Sequence, residues 1–298
     1  MRDYFRHLEL AAGYEPAVYF TPASAWDESN PWFAQRSEVC PTWTPETADA
    51  LFLGGLDWLA LDPEKAKNWP APTFNLIQHI RHTDHAHPLF QFLPNKAIRL
   101  CVSEEVADAV RASGKANGPV FAIPNGVDFG GLPQRIEDSQ HDIDLLIVGL
   151  KNREMAEELQ HAFAMHDLRI EALFDLLPRA EFLGKIARST TTAFLPNQTE
   201  GFYLPALEAM LLGSLVVCPD CIGNRSFCLD TINCFRPAYA LPQIIDAVST
   251  ATTLPSADRE RLLAEATRTA SGHDIARERT AFYDVLNKMR DLWNICPS

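Results

Sequence analysis

The chain has 298 residues, 47% apolar and 22% charged, which excludes a disordered or fibrous protein. Its length exceeds the roughly 100 to 200 residues of one domain, so two domains are expected. With 39 acidic against 26 basic residues the formal charge is -13, a field that repels polyphosphate chains at long range and argues against nucleic acid as a partner. A small anion can still be held by local donors and helix ends.

The first residues, MRDYFRHLELAAGYEP, are too polar for a signal peptide, and no run of about 18 apolar residues occurs, so a cytoplasmic protein is expected. A helix is predicted from about Asp3 to Ala12, then AVYF as a short buried strand, the loop SAWDESNPWF, and the strand ALFLGG. Strands follow at TFNLIQHI and IRLCVS, with a helix over VSEEVADAVRAS capped by Ser103 and a strand and turn at PVFAIPNGVD. The stretch from Gly130 to Asp142 is rich in Gly, Pro, Gln and charge, and IDLLIVGL begins just after it. The domain boundary is placed there, giving domains at 1–138 and 139–273, with a terminal helical segment at 274–298 free to pack back on the first. The second half alternates again: a helix from Arg153 to Met165, RIEALF, AEFLGKIARS, TTAFLP, the helix LPALEAMLL and the strand SLVVC. A helix at about Ser256 to Ala270 and one amphipathic helix from roughly Asp274 to Trp293 close the chain. Strands alternating with helices predict an α/β protein with parallel, Rossmann-like sheets.

Two clusters invite a metal reading. Cys218, Cys221, Cys228 and Cys234 run C-x2-C-x6-C-x5-C, but only the first pair has zinc-like spacing, so reduced, partly buried thiols are the better reading. His79, His82, His85 and His87 lie in a loop-like stretch with only Asp84 as a nearby acid. No metal site is expected from either.

The segment FLPNQTEGFYLPALEAMLLGSLVV carries the chemistry. Its strand ends at Pro196 and the loop NQTEGFY leads into a helix with Pro205 in the first turn. The N–H groups of Gly201, Phe202, Tyr203 and Leu204 would then be unpaired donors at the positive helix end, and Gly201 lets a ligand approach closely. Glu208 lies about one turn into the helix and Glu200 precedes it, so two acids could bracket an anion. By spacing alone, ordinary loop and helix-surface acids explain the letters equally well.

The run E-G-F-Y-L-P-A-L-E-A-M-L-L-G-S-L-V-V resembles the EX7E signature of retaining GT-B glycosyltransferases, the large family that includes sucrose and mannosyl transferases. CVSEEVADAV leading to IPNGVD, and IDLLIVGLKNRE, agree with it, so the similarity covers about Asn75 to Pro237. The resemblance implies a GT-B fold of two doubly wound domains facing a cleft, and transfer of a sugar from a nucleotide-diphosphate sugar, used as substrate, to a hydroxyl of a glycan, lipid-linked or small acceptor. It implies that Glu208 holds the ribose hydroxyls, that Glu200 lies near the donor sugar, and that the backbone of Gly201, Phe202, Tyr203 and Leu204 contacts sugar and diphosphate. Lys151 and Arg153, after Gly149, match basic residues that neutralise the leaving diphosphate, with Arg153 preferred for its planar fork. His79 falls where the family places a first-domain His, and Asn224 lies in a Gly-containing loop near the donor.

The resemblance further implies retention of anomeric configuration, no need of a divalent ion or other cofactor, and glutamates that position ligand rather than act as an acid and base pair. One departure stands out. Relatives begin with an apolar strand and a Gly-rich loop, whereas MRDYFRHLELAAG resembles the helix after them, so the first domain is expected to lack its first strand. A start codon assigned too far downstream, or a trimmed first domain whose acceptor side is open or is completed by a protein partner or a membrane surface, would each account for that. A nucleotide-sugar-binding protein without turnover, and a GT-B nucleotide-sugar epimerase, stay open as alternatives.

Overall fold

The computed structural model describes residues 1–21, 24–27, 30, 32–33, 35 and 39–295. The expected loop at 24–33 and the last residues of the expected terminal helical segment fall partly outside them. Two compact units divide the chain. Unit 1 comprises Met1–Val102, Val106–Ile123 and Arg279–Ser298, and unit 2 comprises Ser103–Glu105 and Pro124–Glu278. The division falls at Ile123–Pro124, before the Gly- and Pro-rich stretch at 130–142, which belongs to unit 2.

In chain order the elements are α1 (Arg2–Glu9), β1 (Leu51–Gly54), α2 (Pro63–Ala66), β2 (Thr73–Ile77), β3 (Ile98–Cys101), α3 (Glu104–Ala112) and β4 (Val120–Ala122). They continue with β5 (Ile143–Val148), α4 (Arg153–Phe163), β6 (Ile170–Leu173), α5 (Arg179–Ala187), β7 (Ser189–Phe194), α6 (Leu204–Leu212) and β8 (Leu215–Val217). Four helices end the chain: α7 (Leu241–Thr252), α8 (Ser256–Ala270), α9 (Ile275–Leu286) and α10 (Met289–Ile295).

Unit 1 holds a parallel sheet in the order β1-β2-β3-β4. β2 and β3 are buried along their whole length, which matches their near-continuous apolar sequence. Arg99 is the exception on β3: it is fully buried, and its Nη2 donates to the carbonyls of Phe92, Leu93 and Asn95. An aromatic cluster ties the ends of this unit together, with Tyr4 of α1 against Phe52 at 5.1 Å and edge-on to Phe282 of α9 at 5.0 Å. AVYF forms no strand; it contributes only the isolated pairing of Val18 with Val39. No strand precedes β1 among the described residues, so β1 pairs with β2 alone.

Unit 2 has the doubly wound order β6-β5-β7-β8, all parallel. Alternate residues of its strands face opposite layers. Leu146, Val148, Phe194 and Val216 pack with α5, α6 and the C-terminal half of α8, while Leu145, Ile147, Ala193 and Val217 pack with α4 and α7. α6 is apolar almost all round because it is buried between neighbours, with Ala206, Leu207, Ala209 and Met210 fully covered. α7 is a helix that the sequence reading leaves out, although Ile244, Val248 and Ala251 share one face.

The expected single helix from Asp274 to Trp293 is two helices. An i to i−3 bond from Lys288 N–H to the Val285 carbonyl closes α9, and α10 starts at Met289. No helix of the described residues is long and apolar enough to cross a membrane.

Candidate functional site

Within unit 2, β5 and β7 are neighbours, but the chain leaves them toward opposite faces of the sheet. The loop after β5 enters α4 on one face, and the loop after β7 enters α6 on the other. This is the topological switch point, and ligands of open α/β sheets bind outside the strand ends there. The loop residues 149–152 and 195–203 flank it, and most of the residues singled out by sequence lie on them.

Gly149 is set at the strand end by its N–H donating to the Leu173 carbonyl at 2.8 Å. A Cβ on it would stand 2.4 Å from the Ala156 methyl, so only glycine allows α4 to cross this close. Asn152 caps α4, its Oδ1 accepting from the Met155 N–H at 3.2 Å. The Tyr239 hydroxyl donates to the Pro196 carbonyl and receives the Asn152 amide at 3.5 Å, tying the two loops together.

The two basic candidates differ in what they face. Arg153 donates to Glu157 at 3.0 Å, stands 3.7 Å from Asp175 and lies 4.8 Å over the Phe174 ring. Its charge is thus already answered by two carboxylates. Lys151 is exposed and makes no ion pair among the described residues. The two candidates therefore differ in charge environment: Arg153 has two carboxylate neighbours, and Lys151 has none among the described residues.

The Glu200–Glu208 segment forms the expected loop and helix, with Pro205 in the first turn of α6. The Glu200 carboxylate accepts from the Asn197 amide at 3.1 Å. The N–H groups of Gly201, Phe202 and Leu204 donate to nothing among the described residues, whereas the Tyr203 N–H donates to the Gly223 carbonyl at 2.9 Å. Tyr203 is therefore removed from the expected set of four free donors. Its ring is buried edge-on to Phe194 at 5.6 Å, and burial holds its hydroxyl well above the ordinary tyrosine range. The Phe202 ring is half-buried, against Phe227 at 5.3 Å and His273 at 5.7 Å.

Gly223 underlies this loop. A Cβ there would meet the Phe202 nitrogen at 2.6 Å and the Glu200 oxygen at 2.9 Å. Asn224 is corrected by the structure: it is fully buried and its amide is used within its own loop, accepting from the Cys221 N–H at 3.2 Å and donating to the Pro219 carbonyl at 3.0 Å and Cys218 Sγ at 3.2 Å. It shapes the floor of the donor loop and leaves no group to touch a ligand.

Glu208 is 3% exposed and lies on the inner side of α6. One carboxylate oxygen, Oε1, accepts from Arg179 Nη2 at 2.6 Å. Arg179 begins α5, and its side chain is 60% exposed against 4% for Glu208. Sequence reading missed Arg179 and Tyr239, since neither stands at a motif position; only the fold brings α5 to α6 and residue 239 to the end of β7.

His79 belongs to unit 1, at the end of β2, where its Nδ1 accepts from the Arg81 N–H at 3.1 Å. His87 caps a short turn through Nδ1 to the Leu89 N–H at 3.2 Å, and the His85 ring lies 4.1 Å from that of Phe90. His82 is buried, and loss of hydration together with Arg99 pulls its pKa down to about 4. Cys218, Cys221, Cys228 and Cys234 are fully buried, unpaired thiols in the core beneath α6.

No protein-family model matches the chain. No curated protein matches it by sequence. Solved structures do match. Sucrose-phosphate synthase from Thermosynechococcus elongatus is similar with a TM-score of 0.63 at 11% identity, over 82% of this chain and 74% of that one. HepE of Anabaena, in complex with UDP-glucose, is similar with a TM-score of 0.60 at 15% identity, over 73% and 72%. The pneumococcal O-GlcNAc transferase GtfA, in complex with UDP and GlcNAc, has a TM-score of 0.58 at 13% identity, over 76% of this chain and 54% of that one. At such identity the likeness is one of fold: two parallel, Rossmann-like units as in GT-B glycosyltransferases.

Proposed function

We propose that this chain is a retaining glycosyltransferase that moves a sugar from a nucleotide-diphosphate sugar to an acceptor hydroxyl. The observation that carries the reading is the helix end at the switch point, where the N–H groups of Gly201, Phe202 and Leu204 have no partner and the buried Glu208 sits within the same first turns. Free donors at a helix N-terminus suit a diphosphate, and a buried carboxylate suits a ribose diol. The fold shared with structures that hold UDP, UDP-glucose or GlcNAc supports it.

In this mechanism the bond between the anomeric carbon and the diphosphate oxygen breaks, and a bond to the acceptor oxygen forms on the same face. The acceptor proton passes to the departing diphosphate oxygen, so no protein nucleophile is needed. Lys151 and the helix-end N–H groups stabilise the charge that develops on the diphosphate, which is what a divalent ion would otherwise do. Glu208 holds ribose, Glu200 faces the sugar, and His79 of unit 1 is assigned to the acceptor side. The acceptor is a glycan, lipid-linked or small hydroxyl compound.

The test is a thermal-shift screen of nucleoside diphosphates and their sugars, followed by a transfer assay with the best donor. A binding donor must raise the melting temperature. Glu208→Ala should abolish that rise. If no nucleotide raises it in the wild-type protein, the reading fails. Release of nucleotide with no acceptor present, accompanied by an epimerised sugar, would replace transfer with epimerisation.

A further inference from the structure

The Arg179–Glu208 pair sits at the proposed donor site, yet no assignment from sequence uses the arginine. Glu208 is buried, and a carboxylate offers about four acceptor positions on two oxygens. Only Oε1 is engaged, by Arg179 Nη2 at 2.6 Å; among the described residues nothing donates to Oε2. Although the residue as a whole is buried, Oε2 is not one of the buried polar atoms left without a partner, so this oxygen is accessible and open to an incoming donor. The remaining acceptor needs donors of the kind a sugar hydroxyl supplies.

Arg179 is well placed to fix which oxygen is left over. It is the first residue of α5, so its backbone is anchored by that helix, while its guanidinium reaches across to α6. The contact is a single charge-assisted bond from Nη2, which engages Oε1 and leaves Oε2 open. Its side chain is 60% exposed while that of Glu208 is 4% exposed, so the pair links a solvent-facing cation to a buried carboxylate.

We propose that Arg179 is a positioning residue for the donor: by holding Glu208 Oε1 it presents Oε2 to the ribose diol, and so sets the discrimination between ribonucleotides and 2′-deoxyribonucleotides. This rests on the nucleotide-sugar reading above.

The experiment measures dissociation constants of UDP and ADP, each beside its 2′-deoxy counterpart, for the wild-type chain, Arg179→Met and Arg179→Lys, with melting temperatures taken in parallel. The wild type should favour the ribose form of its better ligand by roughly tenfold or more, the scale of one hydrogen bond to a charged group. Arg179→Met should bring that ratio close to one, and Arg179→Lys should retain part of it. The ratio is internal to each variant, so a fraction of misfolded protein cancels. A ratio unchanged in Arg179→Met, whatever the absolute affinity, overturns the proposal and leaves the nucleotide reading standing. A wild type that binds none of the four overturns both.

Discussion

Gly223→Ala is the sharpest perturbation of the donor loop, because it adds one methyl group beneath the N–H donors and touches no proposed ligand contact. The added carbon would lie 2.6 Å from the Phe202 nitrogen, 2.9 Å from the Glu200 oxygen and 2.9 Å from the Gly201 carbonyl carbon, all of them backbone. Restoring an ordinary 3.4 Å contact to Phe202 requires the two segments to part by roughly 0.8 Å, since 3.4 less 2.6 is 0.8. That movement stretches the bond from the Tyr203 N–H to the Gly223 carbonyl, now 2.9 Å, beyond hydrogen-bond range. Overpacking of this kind costs about 1–3 kcal/mol of stability. The displaced N–H groups should weaken nucleoside diphosphate binding by about tenfold or more, the scale of one charge-assisted hydrogen bond. Calorimetric titration of the variant with the tightest nucleoside diphosphate, at a temperature where it is fully folded, reads this directly. A folded Gly223→Ala chain with affinity within about twofold of wild type would refute the placement of the anion site on the N–H groups of Gly201, Phe202 and Leu204.

Lys151→Met should lower diphosphate affinity by about tenfold and flatten its salt dependence, whereas Arg153→Met should change it little, because Arg153 already faces Glu157 and Asp175. Equal losses in the two variants would return Arg153 to the site. Asn224→Ala should destabilise the chain by about 1–3 kcal/mol in denaturant melts, since the Cys221 N–H and the Pro219 carbonyl lose buried partners; an unchanged midpoint would show that the amide is not structural. His82 links stability to pH. Its folded pKa of about 4 lies below the ordinary 6.5, so as pH falls through 6.5 the unfolded chain takes up a proton that the folded one refuses. Between pH 7.5 and pH 5 this costs unit 1 about 2 kcal/mol, and His82→Leu should remove that part of the loss in urea melts at the two pH values. An identical pH slope in the variant would show that His82 titrates normally when folded.

Much of unit 2 was legible along the chain. Apolar runs such as IDLLIVGL and SLVVC, separated by helical periodicity, gave parallel strands because both faces of that sheet are buried. The loop and helix at Glu200 to Glu208 were equally legible, since Pro205 suits the first turn of a helix without any tertiary context. AVYF failed as a strand for the complementary reason: four apolar residues carry β propensity, but a strand exists only where a neighbour pairs with it, and here the pairing is a single bridge. The use of each polar group was decided by the tertiary structure alone. Only packing shows that the Tyr203 N–H is taken by Gly223, that Asn224 spends its amide inside its own loop, and that Arg153 rather than Lys151 is neutralised. Arg179 was invisible for the same reason, as it lies 29 positions before Glu208 and meets it only because α5 and α6 pack side by side. Local sequence determined which groups the site contains, and the long-range contacts, which have no local signature, determined which of them are free to bind.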